Sequence, residues 1–174
     1  MAYIQLKKIT SPVGIAAPWA KLTEPDSYLN GPKVFTVGLI LDPEDEGVSD
    51  YIAELDKHSQ DAFDNAIAGM NNELETAKGK KIADLKQSIE SLRLHKPYQP
   101  EYDDAGETTG RYVVKYKKKA EGVYGPKHKK AGESWTATCT IFDGGKRPVD
   151  PSAGTIQGGS VLRVQCEVAP FSMP

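Results

Sequence analysis

Lys115, Lys117 and Lys119 recur at every second position of the run from Gly110 to Lys119. Alternate side chains of an extended strand share one face and sit about 7 Å apart. That interval is close to the spacing of successive phosphates on an extended single strand, so the row could track a linear polyanion by charge. Period two places Arg111, Val113, Lys115, Lys117 and Lys119 on one side, and Tyr112, Val114, Tyr116 and Lys118 on the other. The first face is cationic. The second is largely apolar, and Tyr112, Val114 and Tyr116 are expected to face an interior. A lysine-rich strand also serves to block edge pairing, and on this stretch alone the two readings stand level.

The following loop favours the polyanion, because Lys127, His128, Lys129 and Lys130 would add charge to the same surface. Arg163, on the polar side of the last strand-like run, would extend it. Rings are the second requirement for a single-stranded nucleic acid, since a base gains about 1 to 3 kcal/mol by stacking on one. Trp19, Tyr98, Tyr102, Trp135 and Phe171 all fall in loops or at strand ends, where a ring can be exposed. Duplex binding would more often show a basic recognition helix.

The net charge of −2 argues against an obligatory polyanion binder, but it hides an uneven distribution. Between Arg111 and Lys130 there are eight Lys or Arg against the single Glu121, so the remainder of the 174-residue chain is strongly acidic. A basic site on an acidic body attracts a polyanion at one face without general stickiness. Nothing approaches the roughly 18 apolar residues of a membrane span, and no basic-then-apolar leader opens the chain. A soluble, unprocessed protein with no membrane contact is therefore expected. Cys139 and Cys166 lie singly in strand-like runs, which predicts two small buried thiols rather than a disulfide or a zinc site.

Catalytic constellations are sparse. Asp103-Asp104 and Glu44-Asp45-Glu46 carry enough carboxylate for a divalent metal, and a magnesium-dependent nuclease is the enzymatic reading they would support. Adjacent acids in a loop are usually just solvated. No Ser-His-Asp or Cys-His grouping, HExxH or phosphate-loop pattern occurs. No catalytic residue, cofactor or metal is expected.

The elements that must position the lysines read as strands, a helical stretch, then strands. Val34 to Leu41 is a firm strand, apolar on both faces apart from Thr36 and Gly38, and is expected at the centre of a sheet. Ile52, Leu55, Ser59, Phe63, Ala66, Ile67 and Met70 recur at three and four, and Leu74, Ile82, Leu85, Ile89 and Leu92 form a second stripe. Together they predict a helical insert over about 44–95. Lys96 to Asp104, with two prolines and a run of acids, reads as a loop. Strands are expected from Arg111 to Ala120, Trp135 to Phe142 and Ser160 to Val168, the last with Leu162, Val164, Cys166 and Val168 on one face. The fold class is thus mostly β (α+β). The expected architecture is one domain over 1–174, where five strands with one helical insertion suit a five-stranded oligonucleotide-binding (OB) barrel of Greek-key type, which periodicity alone does not separate from a sandwich.

Several segments taken in order resemble a known family. Lys7-Lys8-Ile9-Thr10-Ser11-Pro12-Val13-Gly14, Pro18-Trp19, Glu24-Pro25-Asp26 and the Val34 strand open the series. Lys96-Pro97-Tyr98, Val114-Lys115-Tyr116-Lys117, Phe142-Asp143-Gly144-Gly145-Lys146, Ile156-Gln157-Gly158-Gly159-Ser160 and Val168-Ala169-Pro170-Phe171 continue it. Their order resembles the single-stranded DNA-binding proteins of tailed bacteriophages, of the gene-two-and-a-half type. The resemblance implies an OB barrel capped by the helical insert, which binds single-stranded DNA without catalysis during phage DNA replication and recombination, in the cytoplasm of the infected bacterium.

It implies further that Lys7, Lys115, Lys117, Arg163 and Phe171 lie at basic and aromatic DNA contacts, with Lys33 carried over across a gap. Arg111, Lys119, Trp19 and Trp135 complete the candidate DNA-binding set. Phage replication proteins and a homodimer are the protein partners that the resemblance implies. In that family an acidic C-terminal tail contacts those partners, and the present sequence stops at Pro174 before such a tail, as expected either of a trimmed chain or of a short relative. The alternative is a phage structural or assembly protein whose lysine strand protects an edge.

Overall fold

The computed structural model describes residues 7–27, 31–150 and 156–169. In chain order the elements are β1 (Lys7–Thr10), β2 (Gly14–Ala16), β3 (Lys21–Asp26), β4 (Val34–Leu41), α1 (Val48–Thr76), α2 (Lys80–Ser91) and β5 (Tyr98–Tyr102). They continue with β6 (Thr108–Lys119), β7 (Glu121–Val123), β8 (Ser134–Thr136), β9 (Ile141–Phe142), β10 (Pro148–Val149), β11 (Val161–Leu162) and β12 (Gln165–Val168). The chain divides into two compact units. One comprises Met1–Pro12, Pro43–Gln99 and Val164–Pro174, and the other Val13–Asp42 and Pro100–Arg163.

The second unit is organised by β4. Its sequence, Val-Phe-Thr-Val-Gly-Leu-Ile-Leu, turns Phe35, Val37, Leu39 and Leu41 to one face, and all four are buried. Val114 of β6 and Ala16 of β2 join them, as the register requires. The sheet order is β11-β2-β4-β6-β5, with β3 also on β4. β4 pairs β6 antiparallel along its whole length, from Val34 opposite Lys119 to Leu41 opposite Tyr112. On its other edge β2 takes the later half, Ile15 opposite Ile40, and β3 the earlier, Lys21 opposite Thr36. The expected central strand is therefore found at the centre. Among the described residues these pairings make an open sheet and do not close it.

Several expectations are corrected by the structure. The segment read as a loop from Lys96 to Asp104 contains β5. A proline is tolerated on such a strand because an edge position leaves an N–H unneeded by the ladder. The acids that follow are the turn between β5 and β6: the Asp103 carboxylate accepts the N–H groups of Ala105 and Glu107, each at 2.9 Å, and Gly106 takes a φ of 82°. Asp103 is thus engaged in holding a hairpin. Asp143 does the same between β9 and β10, accepting from Gly145, Arg147 N–H and the Arg147 guanidinium. Those bonds, that from the Arg147 backbone foremost, hold its carboxyl below the usual aspartate range.

The later strands are shorter than period two predicts. Trp135 to Phe142 is split into β8 and β9, and Ser160 to Val168 into β11 and β12. The alternation itself holds, since Leu162, Val164, Cys166 and Val168 are half-buried while Arg163, Gln165 and Glu167 are exposed. Both cysteines are half-buried, less enclosed than expected, and burial pushes both thiols up.

In the first unit β1 pairs β12, Lys7 opposite Val168 through Thr10 opposite Gln165. Ser11 is buried beyond the pair, where its hydroxyl accepts the Val164 N–H at 2.9 Å. The two predicted helices are α1 and α2. Val48, Tyr51, Ile52 and Leu55 are buried at the start of α1, but the rest of its stripe is half-buried and α2 buries nothing fully.

The two faces of the sheet give opposite mutational outcomes. Leu39→Ala, at a residue with 0% exposure, should lower unfolding free energy by about 2 to 5 kcal/mol. Val161→Ala, at 71% exposure, should change it by less than about 0.5 kcal/mol. Urea unfolding of the two variants measures both.

Candidate nucleic-acid interface

Residues opposite one another in antiparallel strands share a face, so the register builds the outward side of the β4 sheet directly. Lys119 stands opposite Val34, Lys117 opposite Thr36 and Lys115 opposite Gly38, while Lys21 faces Thr36 from the other side. Lys115, Lys117 and Lys119 form one row on β6, with Lys21 two strands away, about 10 Å across the sheet. All four are exposed. Among the described residues none of the four makes an ion pair.

The ring in this face is Trp19. Between β2 and β3 the chain leaves the β4 edge for one turn: the Ala17 N–H donates to the Gly38 carbonyl and the Ala20 N–H to that of Ala17. The excursion lays the indole over Gly38. A Cβ at Gly38 would stand 2.4 and 2.5 Å from the indole Cζ2 and Cη2, so any side chain there would displace the ring. Lys115 Nζ lies 5.6 Å from the ring centroid, within cation–π range, and 42% of Trp19 remains exposed.

Away from the lysines the same face turns apolar. Val113 is opposite Ile40, Ile40 opposite Ile15, and Ile15 opposite Val161. Ile15 is 41% exposed and Val161 is the most exposed large apolar side chain described. One surface thus offers charge for phosphates on one side, apolar groups for bases on the other, and an indole between them, the combination that single strands require.

The remaining candidates divide. Arg111 shares the lysine face by period, but its Nε and Nη2 both donate to Glu101 Oε2 at 2.7 Å, and Thr109 bonds the same oxygen. It joins β5 to β6. Lys118, on the opposite face as expected, donates to the Thr138 carbonyl at 2.6 Å. Lys33 is exposed before β4, its carbonyl accepting the Ala120 N–H at the far end of β6. Trp135 is half-buried and packs against Gly122 across the β7–β8 pair, where a Cβ would stand 2.7 Å from the indole. Arg163 is exposed directly after β11.

Lys7 belongs to the first unit, where it pairs with Glu54 of α1. That hydrogen bond, ahead of the charges around it, holds the Glu54 carboxyl below its usual range. Phe171 lies outside the described residues. The basic loop is the tip of the β7–β8 hairpin, where the Tyr124 and His128 rings stack with centroids 4.2 Å apart.

Lys21, Ile15 and Val161 are the members of the face that sequence reasoning missed. Lys21 is a lone basic residue before Glu24-Pro25-Asp26, and only its pairing with Thr36 reveals its company. Ile15 sits in a run too short for an alternation to register.

The family described as single-stranded DNA-binding protein of bacteriophage T7 matches residues 13–174. Among solved structures, the crystal structure of gp2.5, a single-stranded DNA-binding protein encoded by bacteriophage T7, superposes with a TM-score of 0.64. The aligned sequences are 20% identical, and the match covers 96% of this chain and 76% of that one. No curated protein matches significantly. At this identity the superposition speaks for a shared fold, a mostly β chain with two helices.

The dependence of Trp19 on Gly38 predicts a spectroscopic change. In a Trp135→Phe background, Gly38→Ala should shift the Trp19 emission maximum to the red as the ring leaves the sheet. An unchanged spectrum would show that the ring is not held there.

Proposed function

The chain belongs to the family of the single-stranded DNA-binding protein of bacteriophage T7, and we propose that it binds single-stranded DNA through the outward face of the β4 sheet. One observation carries the assignment to this face: Trp19 lies over Gly38 beside Lys115, with Lys117, Lys119 and Lys21 on the same side of the same sheet. Phosphates follow the lysine row and bases lie toward Trp19, Ile15 and Val161. Contacts of this kind read charge and ring faces, which every base presents, so binding is tolerant of sequence. Its use is protection of single strands in phage DNA replication and recombination, in the cytoplasm of the infected host and without catalysis.

The open sheet is read as the wall of an oligonucleotide-binding barrel, whose outer strands carry the DNA. Arg111 then serves to position β6 through Glu101, and Lys7 contributes charge only when phosphate replaces Glu54. The basic hairpin tip, with Lys127, Lys129 and Lys130, adds to the field that draws the strand in. Edge protection would need only the β6 lysines. It does not account for a ring seated over Gly38 or for Lys21 on a strand across β4.

Binding should weaken steeply with salt, because each neutralised phosphate of a single strand contributes a slope of about −0.7 in log affinity against log salt. Replacing both Lys115 and Lys117 with Ala should therefore flatten that slope by about 1.4 and lower affinity at every salt concentration. Fluorescence anisotropy with a labelled oligonucleotide reads both quantities. Unchanged slope and affinity would move the phosphate path off β6.

A further inference from the structure

Beside Trp19 the second unit holds a cleft of about 540 Å³, with Pro18 and Ala20 on one side and Ile156 and Gly158 on the other. Its volume is within the roughly 300 to 1,000 Å³ usual for small-ligand sites. Thr23 and Glu24 of β3 also line it, as does Lys21 at the same strand's start. The far wall is pinned. Ala16 donates to the Ser160 carbonyl and accepts from Gly159, each at 2.8 Å, while the Gln157 N–H bonds Ser160 Oγ at 3.2 Å. The wall also approaches closely, since a Cβ at Gly158 would stand 2.5 Å from Pro18 Cα.

The lining is ill suited to a phosphate. An ionised carboxylate only accepts hydrogen bonds, and Glu24 would repel a backbone oxygen placed next to it. Its fitting partner is a donor, and the donors on a single strand are carried by base edges: the exocyclic amines of cytosine, adenine and guanine, and the ring N–H groups of guanine and thymine. Thymine carries an oxygen acceptor where cytosine carries its amine, and its one ring N–H lies between two carbonyl oxygens that a carboxylate repels, whereas the cytosine amine has a C–H on one side. Proline, alanine and isoleucine supply apolar walls for the ring, and Lys21 supplies the cation for the phosphate attached to it.

We infer that this cleft receives one unstacked base of the bound strand and favours a base with an exocyclic amine, through the Glu24 carboxylate. The inference rests on the single-strand reading above and deepens it, since it places a preference for base type inside an otherwise sequence-tolerant surface. Trp19 supports the neighbouring base by stacking, and Glu24 discriminates.

The test measures affinity for three oligonucleotides of equal length at one salt concentration by fluorescence anisotropy. The first is oligo(dC), the second is the same strand with pyrimidin-2-one in place of cytosine, which lacks only the amine, and the third is oligo(dT). A hydrogen bond of ordinary net strength at this solvent-exposed carboxylate predicts about three- to tenfold tighter binding of oligo(dC) than of the amine-free strand. Glu24→Ala, at an exposed position, should abolish that ratio while leaving oligo(dT) bound at least as tightly as before. Equal affinities in the unaltered protein, or a ratio that survives Glu24→Ala, would overturn the base pocket and leave the lysine face standing. Failure to bind any of the three would overturn both.

Discussion

The eight-residue pairing of β4 with β6 is the constraint on which the proposed binding face of the second unit depends. Because side chains alternate with a period of two, a slip of one residue in either strand would exchange its two faces. The register is held by burial: Phe35, Val37, Leu39 and Leu41 fill one side, and the cost of exposing them excludes the slipped pairing. Lys115, Lys117 and Lys119 point outward as the necessary counterpart. The same register sets Lys115 opposite Gly38, and the missing side chain at Gly38 makes room for Trp19. Core packing and the arrangement of ring and charge are thus two consequences of one alignment.

The fate of each cation follows from its carboxylate neighbours. Arg111 has Glu101, and Lys7 has Glu54, so both are partly neutralised and positioned within the protein. The sheet lysines have no such partner among the described residues, and their field is directed to solvent. In a chain of net charge −2 this segregation matters more than the total. An acidic body discourages indiscriminate binding while the basic face keeps long-range attraction for a polyanion, which salt would screen.

Much of this was legible in the sequence because it rests on local periodicity. The central strand, the two helices, the lysine row and the assignment of Tyr116 to the opposite face all follow from intervals of two or of three to four residues. Val113 shows the limit of that reading: it shares the lysine face as predicted, yet is buried, opposite Ile40. What was not legible depends on pairs distant in sequence. The Glu101 partner of Arg111 lay in a segment whose prolines hid an edge strand, and Lys21 acquires its neighbours only across β4. The place of Trp19 over Gly38 combines a turn, a backbone hydrogen bond and an absent side chain, none of which has a periodic signature.

If the β4 sheet carries the strand as proposed, its bases reach Trp19 on the outward face. The most direct measurement is a titration of Trp135→Phe protein with an unlabelled oligonucleotide, following Trp19 fluorescence alongside an independent binding signal. Quenching of Trp19 should saturate together with binding and reverse when salt releases the strand. Full binding with Trp19 emission unaltered would contradict it.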